Sequence, residues 1–143
     1  MMLGESAQIT DAALGYKNGF EVDIFGSATI QNVKDLTAQI SFGMDNSYRC
    51  SVDIWGSTGT LYANRVFTAP AEFRPTAEVK TVEGTRKYEL ESDDSFANSI
   101  RHFVECINDK KTRSRNYSMI LKQSQMIDNF RQKSRKTAIK NKR

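Results

Sequence analysis

The chain has 143 residues, 38% of them apolar and 10% aromatic, and its 21 Lys+Arg against 17 Asp+Glu give a formal charge of +4. That length matches one ordinary domain with a single core, and the composition excludes a collagen-like or disordered chain. No run reaches the roughly 18 to 20 apolar residues of a membrane span, and residues 1–5 lack the basic start and apolar stretch of a secretory signal, so the expected location is cytoplasmic.

Ala7 to Leu14 reads as a short strand and Gly15 to Gly19 as the turn after it. From Val22 to Ile30, Val22, Ile24, Gly26, Ala28 and Ile30 alternate with mostly polar positions, which is the period of a strand. Leu36 to Phe42 repeats the pattern more cleanly, with Leu36, Ala38, Ile40 and Phe42 on one face. Gly43 to Ser47 reads as a hairpin connection into a further strand beginning at Tyr48, in which Tyr48, Cys50, Val52 and Ile54 share a face. Gly56 and Gly59 frame a tight turn in which one or both are expected at positive φ, and Thr60 to Ala63 resumes as a strand. Ala69 to Pro75 carries both prolines and is a loop, and Ala77 to Val82 and Arg86 to Leu90 are two more short strands.

The period then changes to that of a helix. Ser92, Asp93 and Asp94 supply capping oxygens, and Phe96, Ile100, Phe103, Val104 and Ile107 recur at helical spacing, which predicts a surface helix with one buried face. A polar loop is expected over Lys110 to Arg115. A second amphipathic helix follows from about Asn116 to Arg131, with Ile120, Leu121, Ile127 and Phe130 near one face, and Lys133 to Arg143 is expected to fray. Strands in succession and then helices imply an α+β fold: an open-faced, largely antiparallel or mixed sheet with the C-terminal helices on one face. The expected organisation is one domain over residues 1–132 and a basic tail over 133–143.

Few residues are placed for chemistry. The single histidine, His102, has no Cys or His at ligand spacing, so a His/Cys metal site is excluded and any His-dependent triad is weakened. Cys50 and Cys106 read as reduced, packed thiols. Gly56 to Thr60 lacks the Lys-Ser/Thr of a phosphate loop, and Asp93-Asp94 suits a helix cap better than acid/base work. Charge is unevenly spread: residues 1–109 hold 9 Lys+Arg and 16 Asp+Glu, whereas residues 110–143 hold 12 and 1. The basic end raises nucleic-acid binding as a reading, but Lys133 to Arg143 offers no aromatic platform, which favours a solvated tail. No glycine-rich strand-to-helix turn is present, which argues against a self-contained dinucleotide-binding domain.

The stretch from Tyr48 to Pro70, with Gly56, Gly59, Leu61 and then Asn64-Arg65-Val66-Phe67, resembles the C-terminal domain of the Gfo/Idh/MocA oxidoreductases, the glucose-fructose oxidoreductase and inositol dehydrogenase family. Asp23, Gly26 and Ala28 before it, and Asp93-Asp94-Ser95-Phe96 leading to Phe103 after it, follow the same order. The likeness is strongest to members acting on nucleotide-linked sugars, such as ketoreductases of deoxysugar pathways. It implies a substrate-facing and oligomerisation domain whose family partner is a Rossmann domain holding NAD(P), which this chain is expected to lack and a separate chain could supply. Catalytic residues, cofactor site and metal site are none in this chain, and the fragment is expected to be inactive alone. The implied partners are a sugar or nucleotide sugar and further copies of the chain meeting through the sheet face, with no membrane. Arg65 is the first candidate for substrate contact, since a guanidinium can reach a phosphate or a sugar hydroxyl; its structural alternative is an ion pair with Asp53 or Glu78. Asn64, Tyr62 and Arg74 are further candidates, Arg74 on the Pro-bounded loop where a lid is expected. A free-standing scaffold module with this sheet is the competing reading.

Overall fold

The computed structural model describes residues 3–4, 6–67 and 69–139, with the side chains of residues 137–139 outside the description. The chain divides into two compact units, residues 1–46 with 114–143 and residues 47–113. The fold is α+β, with two open four-stranded sheets that are largely antiparallel.

The first unit holds the sheet β3-β2-β1-β8, from β1 (Gln8–Lys17), β2 (Phe25–Gln31), β3 (Thr37–Gly43) and β8 (Ser134–Ile139). Gly15 to Lys17, expected in a turn, belong to β1, because Gly15 pairs with Phe25 across the ladder. A side chain at Gly15 would occupy the volume taken by the Phe25 ring, so the glycine lets that aromatic lie over the strand. Register places Ile9, Ala12 and Leu14 beside Ile30, Ala28 and Gly26, and these beside Ala38, Ile40 and Phe42, on one apolar face. Ile9, Ala12 and Ala28 form its buried centre, with Ile30 and Phe130 packed against them. Phe130 comes from α2 (Lys110–Lys133), and its ring meets that of Phe42 at 6.1 Å between centroids and 54° between planes.

The helix pattern was only partly legible. Residues 110–115, expected in a loop, open α2, because the Asp109 carboxylate caps it by accepting from the backbone N–H of Lys111 and Thr112 and from the Thr112 hydroxyl. These bonds, the Thr112 hydroxyl first, hold the exposed Asp109 carboxyl below its ordinary pKa. Ile120, Leu121 and Ile127 are exposed, while Lys122, Met126 and Phe130, four residues apart, are half-buried. Residues 134–139, expected to fray, pair with β1 in parallel and make the sheet mixed. The edge of β1 explains this: Lys133 Nζ donates to the Ile9 carbonyl (2.7 Å), Arg135 pairs with Asp11 (2.8 Å) and Lys136 lies over the Tyr16 ring (5.9 Å). The rest of the expected basic tail, residues 140–143, lies outside the described residues.

The second unit is a meander, β4-β5-β6-β7, built from β4 (Ser51–Gly56), β5 (Gly59–Asn64), β6 (Thr76–Thr81) and β7 (Gly84–Glu89). The expected hairpin at 43–47 does not form, since β3 and β4 belong to different sheets. Gly56 and Gly59 do close the β4–β5 turn, but neither has positive φ. Gly59 is needed for a different reason: a Cβ there would collide with the backbone carbonyl oxygen of Lys80 on β6. Val52, Ala63, Ala77 and Tyr88 fall in one cross-strand row and Ile54, Leu61 and Val79 in the next, so they share a face, while Asp53, Tyr62, Glu78 and Lys87 line the other.

Helix α1 (Ser95–Asn108) is capped as its sequence predicts, the Asp94 carboxylate accepting from the Ala97 N–H (2.9 Å). Its apolar stripe is not buried as expected: Phe96 is 84% and Phe103 65% exposed, and Cys106 is its one buried residue. Periodicity specifies which residues share a helix face but not what covers it. At its C-terminus Arg113 donates to the Cys106 and Ile107 carbonyls (2.8 and 3.0 Å), occupying acceptors that no further turn would satisfy. No helix among the described residues is long and apolar enough to cross a membrane.

Candidate functional site

Three of the four candidate residues, Tyr62, Asn64 and Arg65, lie at or just beyond the end of β5. Asn64 is its last residue and pairs with Ser51, and the next N–H, that of Arg65, donates to the Cys50 carbonyl. That bond prolongs the ladder by one step while the chain turns away. Arg65 takes φ +50°, a left-handed conformation that costs a non-glycine residue about 1 kcal/mol.

The side chain of Arg65 is half-buried and its guanidinium carbon lies 5.4 Å from the ring centres of both Tyr48 and Phe73. Each such contact is worth about 0.5–1 kcal/mol, so the two rings together offset the backbone cost. The alternative ion pair is not what holds it: Glu78 pairs instead with Lys87 (3.6 Å), its neighbour across the β6–β7 ladder. Among the described residues no carboxylate lies within ion-pair distance of Arg65.

Arg74 is placed very differently. Its guanidinium pairs with Glu89 (3.1 Å) and Glu91 (3.6 Å), and the Leu90 N–H donates to the Pro75 carbonyl (2.8 Å). The Pro-bounded loop is thereby tied to the end of β7, and Arg74 serves as its fastening. The loop also turns on itself, the Phe73 N–H donating to the Pro70 carbonyl (2.9 Å), which presents Phe73 to Arg65. Tyr62 and Asn64 lie on the polar face of β5, both exposed, with Tyr62 opposite Asp53 and Glu78. The structure thus joins Arg65 to two aromatic residues that the sequence did not single out, keeps Tyr62 and Asn64 on the adjoining polar face of β5, and ties Arg74 to the end of β7. Tyr48 and Phe73 are far from Arg65 in pattern terms, and no local motif marks them.

Other reactive groups are occupied structurally. His102 is exposed on α1, its Nδ1 3.4 Å from Glu105 and its Nε2 3.7 Å from the buried Cys106 sulfur. Among the described residues no three His, Cys, Asp or Glu side chains are grouped to hold a metal ion. The residues described do not form a Rossmann-type cradle for a nicotinamide dinucleotide. The one parallel strand pair among the described residues, β1 with β8, carries no glycine-rich turn opening a helix, the cradle such a cofactor's pyrophosphate needs.

No protein-family model matches the chain. A dTDP-3,4-didehydro-2,6-dideoxy-α-D-glucose 3-reductase from Actinomadura kijaniata is 33% identical over 107 residues, covering 75% of this chain and 32% of that protein. The enzyme of the same name from Streptomyces violaceoruber is 27% identical over 141 residues, covering 92% and 41%. A crystal structure of a point variant of the Actinomadura kijaniata 3-ketoreductase, in complex with TDP-benzene and NADP, matches with a TM-score of 0.91 at 29% identity, over 96% of this chain and 44% of that one. The chain therefore spans about a third to two-fifths of the length of the curated relatives it matches.

Proposed function

From its homology to the C-terminal part of dTDP-sugar 3-ketoreductases of the Gfo/Idh/MocA family, we propose that the chain is the substrate-facing part of a nucleotide-sugar ketoreductase. The observation that carries this reading is the superposition of nearly the whole chain on a reductase that binds both a TDP ligand and NADP. Hydride transfer needs a nicotinamide and a proton donor held against the sugar carbon. In this reading both come from the part of the enzyme that the chain does not match, with NADP as the cofactor and the cytoplasm as the setting. The chain's own contribution is to bind and orient the nucleotide sugar from the end of β5, where Arg65, Asn64 and Tyr62 lie. Arg74 holds the adjoining loop in place.

The reading includes self-association through the apolar face of the second sheet. Ile54, Leu61, Val79 and Tyr88 share that face, and Ile54 and Tyr88 are over 40% exposed, which supports a covered state with another copy. Sedimentation at tens of micromolar checks it: a dimer or larger species is expected, and a strict monomer contradicts it.

The function itself is tested with a chimera in which this chain replaces the matched part of the Actinomadura kijaniata reductase. NADPH oxidation dependent on the dTDP-linked keto sugar is expected from the chimera and not from the chain alone. A folded chimera with no activity above the truncated reductase contradicts the reading.

A further inference from the structure

The guanidinium of Arg65 combines three features. It is half-buried, it sits on a left-handed backbone, and its charge is held by rings and not by a carboxylate. Stacking on a ring engages the face of a guanidinium. Its five N–H donors lie in the plane, at the edge, so ring contact and bidentate binding of an oxyanion are compatible in one side chain. A carboxylate partner would compete for those donors, as Glu89 and Glu91 do at Arg74.

We propose that Arg65 is a phosphate-binding residue, and that Tyr48 and Phe73 are positioning residues that hold its guanidinium ready for the anion. The two rings come from opposite sides in sequence, Tyr48 ahead of β4 and Phe73 from the Pro-bounded loop. Prior restraint by both lowers the rotamer entropy that a free arginine loses on binding. The strained backbone fits the same role, since sparsely populated conformations held in place by surrounding contacts cluster at ligand clamps. The assignment rests on the proposed reading of the chain as nucleotide-sugar-facing. That reading offers two sources of the phosphate: the diphosphate of the sugar nucleotide and the phosphates of NADP.

Calorimetric titration of the full 143-residue chain with TDP, and separately with NADP, tests the assignment. Arg65→Gln is expected to lose about tenfold or more in affinity. Arg65→Gly should lose as much while melting within a few degrees of the unaltered chain, because glycine takes the left-handed backbone freely and so separates binding from folding. Phe73→Leu should weaken binding severalfold, with Phe73→Tyr restoring it, a rescue that loss of loop packing alone would not show. A loss seen with TDP identifies the sugar nucleotide as the source, and a loss confined to NADP identifies the cofactor; either supports the assignment. Unchanged affinity in both Arg65 variants overturns it and leaves the functional reading standing. Binding of neither ligand by the unaltered chain overturns the assignment, while the functional reading is judged by the chimera.

Discussion

The two compact units each hold a four-stranded sheet, and they differ in how far one side of it is covered. In the first, an aromatic side chain from α2 and a parallel edge strand arrive from the far end of the sequence to seal β1. In the second, strands follow one another as a meander, and buried apolar residues on the sheet are limited to Ala63 and Ala77. The first therefore depends on a few contacts of long sequence separation, and the second on local pairing. The difference also divides the labour: the well-sealed sheet has its basic residues engaged in structure, while the open one carries the arginine that structure leaves available.

The largest effect should follow from breaking the seal. Phe130→Ala removes the ring that meets Phe42 and closes over Ile9, Ala12 and Ala28, and should cost about 2–4 kcal/mol. Hydrogen exchange should show protection lost in β1 and β2 and kept in β5 and β6. Equal loss in both sheets would mean that the units are one cooperative body. Next, Gly59→Ala should cost about 1–3 kcal/mol through its clash with the Lys80 carbonyl, with the exchange pattern reversed. Arg135→Ala removes an exposed ion pair with Asp11 and should cost only about 0.2–1 kcal/mol in denaturant titration, lessening with salt. A larger loss would mean that β8 is held by this pair and not by its ladder.

A pH-dependent effect concerns the start of α2. Because the folded Asp109 carboxyl has a lowered pKa, its capping contribution is complete above about pH 4 and is lost as pH falls through the folded value. Circular dichroism at 222 nm should therefore show a small drop in helicity below pH 4 that Asp109→Ala removes, with the variant's melting point lowered by a few degrees throughout the neutral range.

How much of this was legible varied with the range of the interaction. Strand faces, the turn between Gly56 and Gly59 and the Asp94 cap depend on neighbours a few residues away, and the sequence pattern carries them. The pairing of residues 134–139 with β1 does not appear in a local reading, because a run rich in Lys and Arg has no apolar alternation; Asp11 and Tyr16, more than a hundred residues earlier, are what receive it. The opening of α2 was hidden by charge: Lys110, Lys111, Arg113 and Arg115 look like a loop until Asp109 is recognised as the cap. At the candidate site, Arg65 was visible as a residue type at a strand end. Its two rings were not, since Tyr48 and Phe73 reach it only once the meander and the Pro-bounded loop have folded.

The division of labour between the units is tested most directly by mapping amide chemical-shift changes across the full chain during titration with TDP. The account predicts saturable changes at and around Tyr48, Arg65 and Phe73, within residues 47–113, and little change along β1 to β3. Changes confined to residues 1–46 and 114–139, or none at saturating TDP, would contradict it.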